Sequence, residues 1–304
     1  IPVAQNVFAV SLNSYTWGRF DLAECLAQIR QTPLRRVEVP VEQTRPRSLI
    51  PELMVDAPLS GQWQYSLPDL RALFATDGFV VDSMDVFGFL GYPGGADIIK
   101  RRVDFAGALG CDTIVLGCHR EDLPAPAAGE RLPDNAETRA ARAFCYDLLR
   151  DVGQYAATCG VRLALEVHGA LMGSIAEALR TMQEVGLPNV GVNLDTANIL
   201  FYNESQPASY GLEAAEALAP YVMHVHLKDI IRGRTRAEHV LPRLGQGEVD
   251  FRGTFDLLHA AGFTGPFSLE VETFHRATES DSIQDYHADI VASLEYLTSL
   301  GEFA

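Results

Sequence analysis

Short apolar, β-branched runs alternate with longer segments of helical period along the whole chain. Candidate strands are Phe8–Leu12, Val37–Val39, Val80–Met84, Thr113–Leu116, Leu163–Val167, Val190–Leu194, Val222–Leu227 and Phe267–Val271. Between them, segments such as Leu22–Ile29, Ala136–Ala157, Ile175–Val185, Phe255–Ala260 and Ile283–Leu300 repeat apolar residues at three- and four-residue spacing, the period of an amphipathic helix. Gly or Pro punctuates the helix-to-strand junctions at Gly110, Gly160, Gly186–Pro188 and Gly262–Pro266. Eight strands alternating with helices predict a single (β/α)8 TIM barrel over residues 1–304, a fold that takes about 250 residues. A doubly wound sheet loses its best support, because no G-x-G-x-x-G follows the first strand. Pro124–Pro133 reads as a long surface loop inside this one domain.

Composition narrows the partners. Hydrophobic residues at 47% and charged residues at 21% are those of a globular protein with ample core. A net charge of −16 repels phosphate backbones, so nucleic acid is not expected as a partner. Arg232, Arg234 and Arg236 form the one basic cluster able to grip a phosphate or carboxylate, although such runs are usually solvated. The five cysteines are odd in number and lack C-x-x-C spacing, which argues for a reducing compartment rather than a disulfide framework. No run reaches the roughly 18 apolar residues of a membrane span, and the opening residues lack the features of a secretory leader. The expectation is a cytoplasmic protein with no membrane partner.

Function in such a barrel sits at the C-terminal ends of the strands. There the last four strands place Glu166 in LALEVH, Asp195 in VNLDTAN, His226 in HVHLKD and Glu270 in FSLEVE. Converging buried carboxylates demand a cation or strong partners. Three carboxylates and an imidazole suit one divalent metal, Mn2+ first, with Mg2+, Co2+ and Zn2+ as alternatives. Such an ion could take two adjacent substrate oxygens, as in a ketol, and stabilise the enediolate left when a proton leaves the carbon between them. His168 lies two residues after Glu166, on the same side of an extended chain, where an imidazole can carry protons near neutral pH. His224 and Glu272 share faces with His226 and Glu270 and are expected as supporting partners. Glu38 either faces the site or forms a structural ion pair, and Lys228 with Asp229 is expected as a pair behind the ligands. Trp17 and His119 are candidate substrate contacts. Gly245 and Gly247 read as a tight turn entering the last helix.

The strings LALEVHG, NLDTAN, HVHLKD, GQGEVDF and GPFSLEVE resemble the xylose-isomerase-like TIM barrels, a group of sugar-phosphate isomerases and epimerases, inosose dehydratases and endonuclease relatives. The resemblance covers nearly the whole chain and is densest from Arg162 to Thr273. It implies metal ligation by Glu166, Asp195, His226 and Glu270, with the two glutamates as the acid/base pair of a keto-sugar epimerase. It also implies a homo-oligomer. Two positions depart from the family's pattern. Asn198 stands in DTAN where a histidine is usual, able to donate a hydrogen bond to a substrate but not to carry a proton. Met172 stands where the epimerases carry a further glutamate. With His168, these departures resemble the metal-binding subunit of C-glycoside deglycosidases, which cleave 3-oxo-C-glycosides by β-elimination and use a small second subunit. The first expectation is therefore an isomerase or epimerase acting on a keto-sugar or polyol. The alternative is a lyase, either a C-glycoside deglycosidase or an inosose-type dehydratase. Arg232 completes the candidate substrate contacts. A multi-zinc endonuclease is disfavoured by Asn198 and the negative charge, and a non-catalytic sugar sensor by the intact ligand quartet.

Overall fold

The computed structural model describes residues 6–15, 20–41, 65–88, 90–91, 94–118, 123, 131–273 and 281–303. Its centre is a closed barrel of eight strands in chain order. They are β1 (Phe8–Ser11), β2 (Arg36–Val41), β3 (Val80–Phe87), β4 (Thr113–Gly117), β5 (Arg162–Glu166), β6 (Val190–Asp195), β7 (Val222–Leu227) and β8 (Phe267–Leu269). Every neighbouring pair is parallel, and β8 closes on β1 through Phe8 opposite Phe267. A parallel barrel buries both faces of its strands, which is why most of their residues are apolar instead of alternating with exposed polar ones. In β4, all five residues from Thr113 to Gly117 are buried.

Local chemistry starts and stops the surrounding helices. Asp21 caps Leu22–Ile29 in a capping box with Glu24, and the side chains of Ser66, Asn135, Ser174 and Asp250 accept backbone N–H bonds at four further helix starts. Gly110 (φ 78°) and Gly186 (φ 63°) end their helices in the left-handed conformation that glycine adopts most easily. Inside the shell, Arg142 donates to both oxygens of Glu177 at 2.8 and 2.9 Å, and Glu177 also accepts from the Leu132 N–H. This buried pair ties the entry of helix Ala136–Thr158 to helix Ile175–Val185.

The predicted strand and helix order is the observed one, with shifted ends. β8 stops at Leu269, so Glu270 lies just past the strand rather than within it. The helix predicted from Phe255 starts at Phe251, because Asp250 accepts from Gly253 N and caps it one turn earlier. Most of the Pro124–Pro133 loop lies outside the described residues. All five cysteines are free. Among the described residues, no helix is long and apolar enough to cross a membrane.

Candidate metal centre

Glu166 closes β5, Asp195 closes β6, His226 is the penultimate residue of β7 and Glu270 follows β8. The parallel register puts Asp195 opposite His226, and the Glu270 N–H donates to Leu227 O at 3.1 Å, which brings the four side chains to one end of the barrel. One ligand atom from each lies within 4.8 Å of all the others, and all four residues are buried. His226 Nδ1 is 3.1 Å from Glu270 Oε2, 3.6 Å from Glu166 Oε1 and 3.8 Å from Asp195 Oδ2.

Each carboxylate is held from outside the cluster. Asp195 Oδ1 accepts the backbone N–H groups of Ala197 and Asn198 at 2.9 and 2.8 Å. Glu166 Oε1 accepts from Asn198 Nδ2 at 3.0 Å, and Glu270 Oε1 from Asn13 Nδ2 at 3.0 Å. Asn13 also donates to Asp85 Oδ2 at 2.7 Å. Lys228 Nζ sits 3.0 Å from Asp195 Oδ2, 2.7 Å from Glu270 Oε2 and 2.8 Å from Glu272 Oε2. His168 Nδ1 is 3.4 Å from Glu166 Oε2, and its ring lies 4.9 Å from that of Tyr202.

Electrostatics at this depth is governed by burial set against pairing. Burial opposes ionisation of Glu166, but His168 and His226 outweigh it and hold this carboxyl well below the usual range. Glu270 is likewise held low, because His226 and Lys228 overcome its burial. Burial also disfavours charge on Lys228, yet Asp195, Glu270 and Glu272 raise its pKa well above the ordinary value. Against burial, Glu270 and Glu38 raise that of His226.

The donor set fits a divalent cation. Asp195 Oδ2 and Glu270 Oε2 are buried and receive no well-formed hydrogen bond, even though Lys228 lies close to both. His226 Nδ1 faces three carboxylates, yet Asn193 Nδ2 is also 3.1 Å from it. A bare lone pair there is repelled by the carboxylates, and an N–H there collides with the amide donor. A cation held among the carboxylates would remove the repulsion, and to bind Nδ1 it would displace the Asn193 amide from that lone pair.

Other expected site residues fare differently. Asn198 is in the cluster, and His168 borders it. Trp17 and His119 lie outside the described residues. Arg232 is committed to neighbours, donating to Glu248 Oε2 at 3.0 and 2.9 Å and to Gln206 O at 2.7 Å. Lys228 and Asp229 are not the expected pair. Successive residues of an extended chain point apart, so Lys228 turns into the carboxylates while Asp229 accepts the N–H groups of Ile230, Gly245, Gly247 and Val249. Gly245 and Gly247 therefore wrap a carboxylate, and the next helix, Phe251–Ala260, is not the last one. The sequence reading overlooked Asn13 and Asp85. Their signal was position alone: Asn13 just after β1, Asp85 on β3.

Fold and site together define a (β/α)8 barrel with three carboxylates and a histidine gathered at the C-terminal ends of its last four strands. The chain belongs to the xylose isomerase-like TIM barrel family, whose model matches residues 26–300. It is 30% identical over 184 residues to a ketose 3-epimerase from Arthrobacter globiformis, covering 58% of this chain and 55% of that protein. It is 29% identical over 145 residues to an inosose dehydratase from Geobacillus thermodenitrificans, covering 42% of this chain and 47% of that one. These alignments span about half the length of the curated relatives. A xylose isomerase-like barrel from Mycobacterium smegmatis, solved in complex with magnesium, superposes with TM-score 0.69 at 19% identity over 98% of each chain. The relatives are thus carbohydrate epimerases and a dehydratase.

Proposed function

We propose that this chain is a divalent-metal-dependent enzyme that epimerises or isomerises a keto-sugar or polyol by removing a proton from the carbon beside a carbonyl. The observation that carries the reading is the buried Glu166–Asp195–His226–Glu270 quartet. Asp195 and His226 chiefly hold the ion, for which Mn2+ is our first choice among Mn2+, Mg2+, Co2+ and Zn2+, given three oxygen donors and one nitrogen. Such an ion polarises the carbonyl and carries the negative charge that develops on its oxygen. Glu166 and Glu270 are held as carboxylates, so either can take the proton, and the other, once it has gained a proton from solvent, returns one to the same carbon. His168, 3.4 Å from Glu166, passes protons between that carboxylate and solvent, whereas Asn198 orients Glu166. We place the enzyme in the cytoplasm, with a small-molecule partner.

One observation favours a second outcome after the same first step. Asn198 cannot reprotonate a substrate, and Met172, fully buried, adds no second carboxylate near the sugar. With neither residue able to return a proton to carbon, the enediolate would instead expel a leaving group from the adjacent carbon, with His168 supplying the proton that the departing group takes. That describes a lyase, either an inosose-type dehydratase or a C-glycoside deglycosidase acting on a 3-oxo-C-glycoside with a small second subunit.

The test is solvent-deuterium exchange at the carbon beside the ketone. Mn2+-loaded protein is offered free ketoses, ketose phosphates, inososes and 3-oxo-glycosides. Exchange that disappears in Glu166→Gln and Glu270→Gln supports the reading, and the responding substrate separates epimerase from lyase. No exchange on any member, with metal bound stoichiometrically, removes the stand-alone enolising enzyme.

A further inference from the structure

Below the quartet, nearer the barrel middle, lies a second polar layer that the proposed reaction does not use. It consists of Glu38 on β2, Ser83 on β3, Asn193 on β6 and His224 on β7, all at 0% exposure. With His226 these side chains form a closed ring of contacts. Glu38 Oε1 and Oε2 lie 3.0 and 3.1 Å from His226 Nε2. Ser83 Oγ donates to Glu38 Oε2 at 2.8 Å and lies 3.1 Å from His224 Nε2. His224 Nδ1 is 2.9 Å from Asn193 Oδ1, and Asn193 Nδ2 returns to His226 Nδ1 at 3.1 Å.

An ion pair kept only for charge balance needs no particular atom of the imidazole. Here both carboxylate oxygens of Glu38 converge on one nitrogen, Nε2, on the side of the ring away from the quartet. An anion so placed accepts a proton-bearing nitrogen and repels a lone pair. A carboxylate on the second ring N–H is how metal-ligating histidines are commonly oriented.

We propose that Glu38 is a positioning residue for His226. It takes the Nε2–H, fixes the plane of the ring, and so presents the Nδ1 lone pair to a divalent cation held with Glu166, Asp195 and Glu270, which takes the place of the Asn193 amide there. Ser83 on β3 donates to Glu38, and Asn193 on β6 and Ser83 together fix His224, two residues before His226 on β7, which keeps Glu38 and the ring in register. The inference rests on the metal-centre reading above and adds to it a residue from the far side of the barrel.

The probes are Mn2+ alone and the histidine tautomer. Full-length protein is titrated with Mn2+ after chelation, as the unmodified chain and as Glu38→Gln and Ser83→Ala. Glu38→Gln keeps the side-chain shape, but the amide it introduces can donate to Nε2 and so permits the opposite tautomer. This variant is expected to weaken Mn2+ binding by about 10- to 100-fold, with Ser83→Ala moving the same way by less. Independently, long-range 15N–1H spectra of 15N-histidine-labelled, Mg2+-loaded unmodified protein are expected to show His226 protonated at Nε2, a readout that needs no variant to fold. A His226 protonated at Nδ1 in that spectrum, or Mn2+ affinity within twofold of unmodified in folded Glu38→Gln, overturns the role of Glu38 while leaving the metal centre standing. Failure of the unmodified protein to take up either ion overturns both.

Discussion

Asn198 donates its side-chain N–H to Glu166 Oε1 at 3.0 Å while its backbone N–H is held by Asp195 Oδ1 at 2.8 Å. One residue thus links two carboxylates of the quartet, from the start of a short helix that follows β6 directly. Asn198→Leu preserves size and removes the donor. A lost hydrogen bond to a charged acceptor costs about 1.5–3 kcal/mol. We expect substrate deuterium exchange to slow by about ten- to a hundredfold, since each 1.36 kcal/mol is a factor of ten. Exchange in this variant within twofold of unmodified would show that Glu166 needs no such orientation.

Lys228 is the buried ammonium among Asp195, Glu270 and Glu272. Lys228→Met leaves those carboxylates facing one another, and removing one partner of a buried ion pair costs about 3–5 kcal/mol. The expected result is a large fall in melting temperature in the presence of chelator. Added Mn2+ should restore more of that loss than it adds to unmodified protein. Equal metal-induced shifts in the two proteins would sever the link between Lys228 and the ion.

Asp229 collects four backbone N–H groups, from Ile230, Gly245, Gly247 and Val249, and so shapes the loop that follows β7. Asp229→Ala leaves several of these donors without a partner, each worth about 1–3 kcal/mol where water cannot replace the acceptor. Gly247→Ala meets the same carboxylate from the other side, because a methyl group there runs into Asp229 Oδ1. Both variants should lower the urea midpoint. Arg234→Ala, whose backbone N–H bonds Glu238 in the exposed part of the loop, should not.

His287, on the final helix, packs with its Nδ1 3.1 Å from the Tyr15 hydroxyl, and burial holds its pKa below the ordinary 6.5. The unfolded chain therefore takes up this proton at a higher pH than the fold does. The contribution is complete above about pH 6.5 and is lost as pH falls below that value toward the folded pKa. Between pH 7.5 and 5.5, the denaturation midpoint should drop further for unmodified protein than for His287→Gln. Parallel drops would remove His287 as a source of acid sensitivity.

Much of the site was legible because a parallel strand is a nearly unbroken apolar run, so a polar residue at its end stands out. Glu166, Asp195, His226 and Glu270 were each recognisable in that way, and the structure brings all four together. Glu38 was harder to assign, since a lone acid inside a strand reads equally as a site residue or as half of an ion pair. The pairing of Lys228 was misjudged for a related reason. Its partner was sought next to it in the chain, whereas just past the end of β7 Lys228 and Asp229 turn to opposite sides. Asn13 and Asp85 carried no pattern at all, because an amide after β1 and an acid on β3 become neighbours only when both strands pair with β2 in a curved sheet.

From the sequence alone came the strand-and-helix order, the barrel, and the identity of the three carboxylates and the histidine at its strand ends. All three depend on periodicity and on breaks in it, which are local properties of the chain. Tertiary structure alone decided which oxygens remain without hydrogen-bond donors, where Lys228 delivers its charge, and that both oxygens of Glu38 reach the Nε2 of His226. Those facts depend on distances of a few ångströms between strands far apart in the chain. Only closure of the sheet, through the strand register, sets such distances.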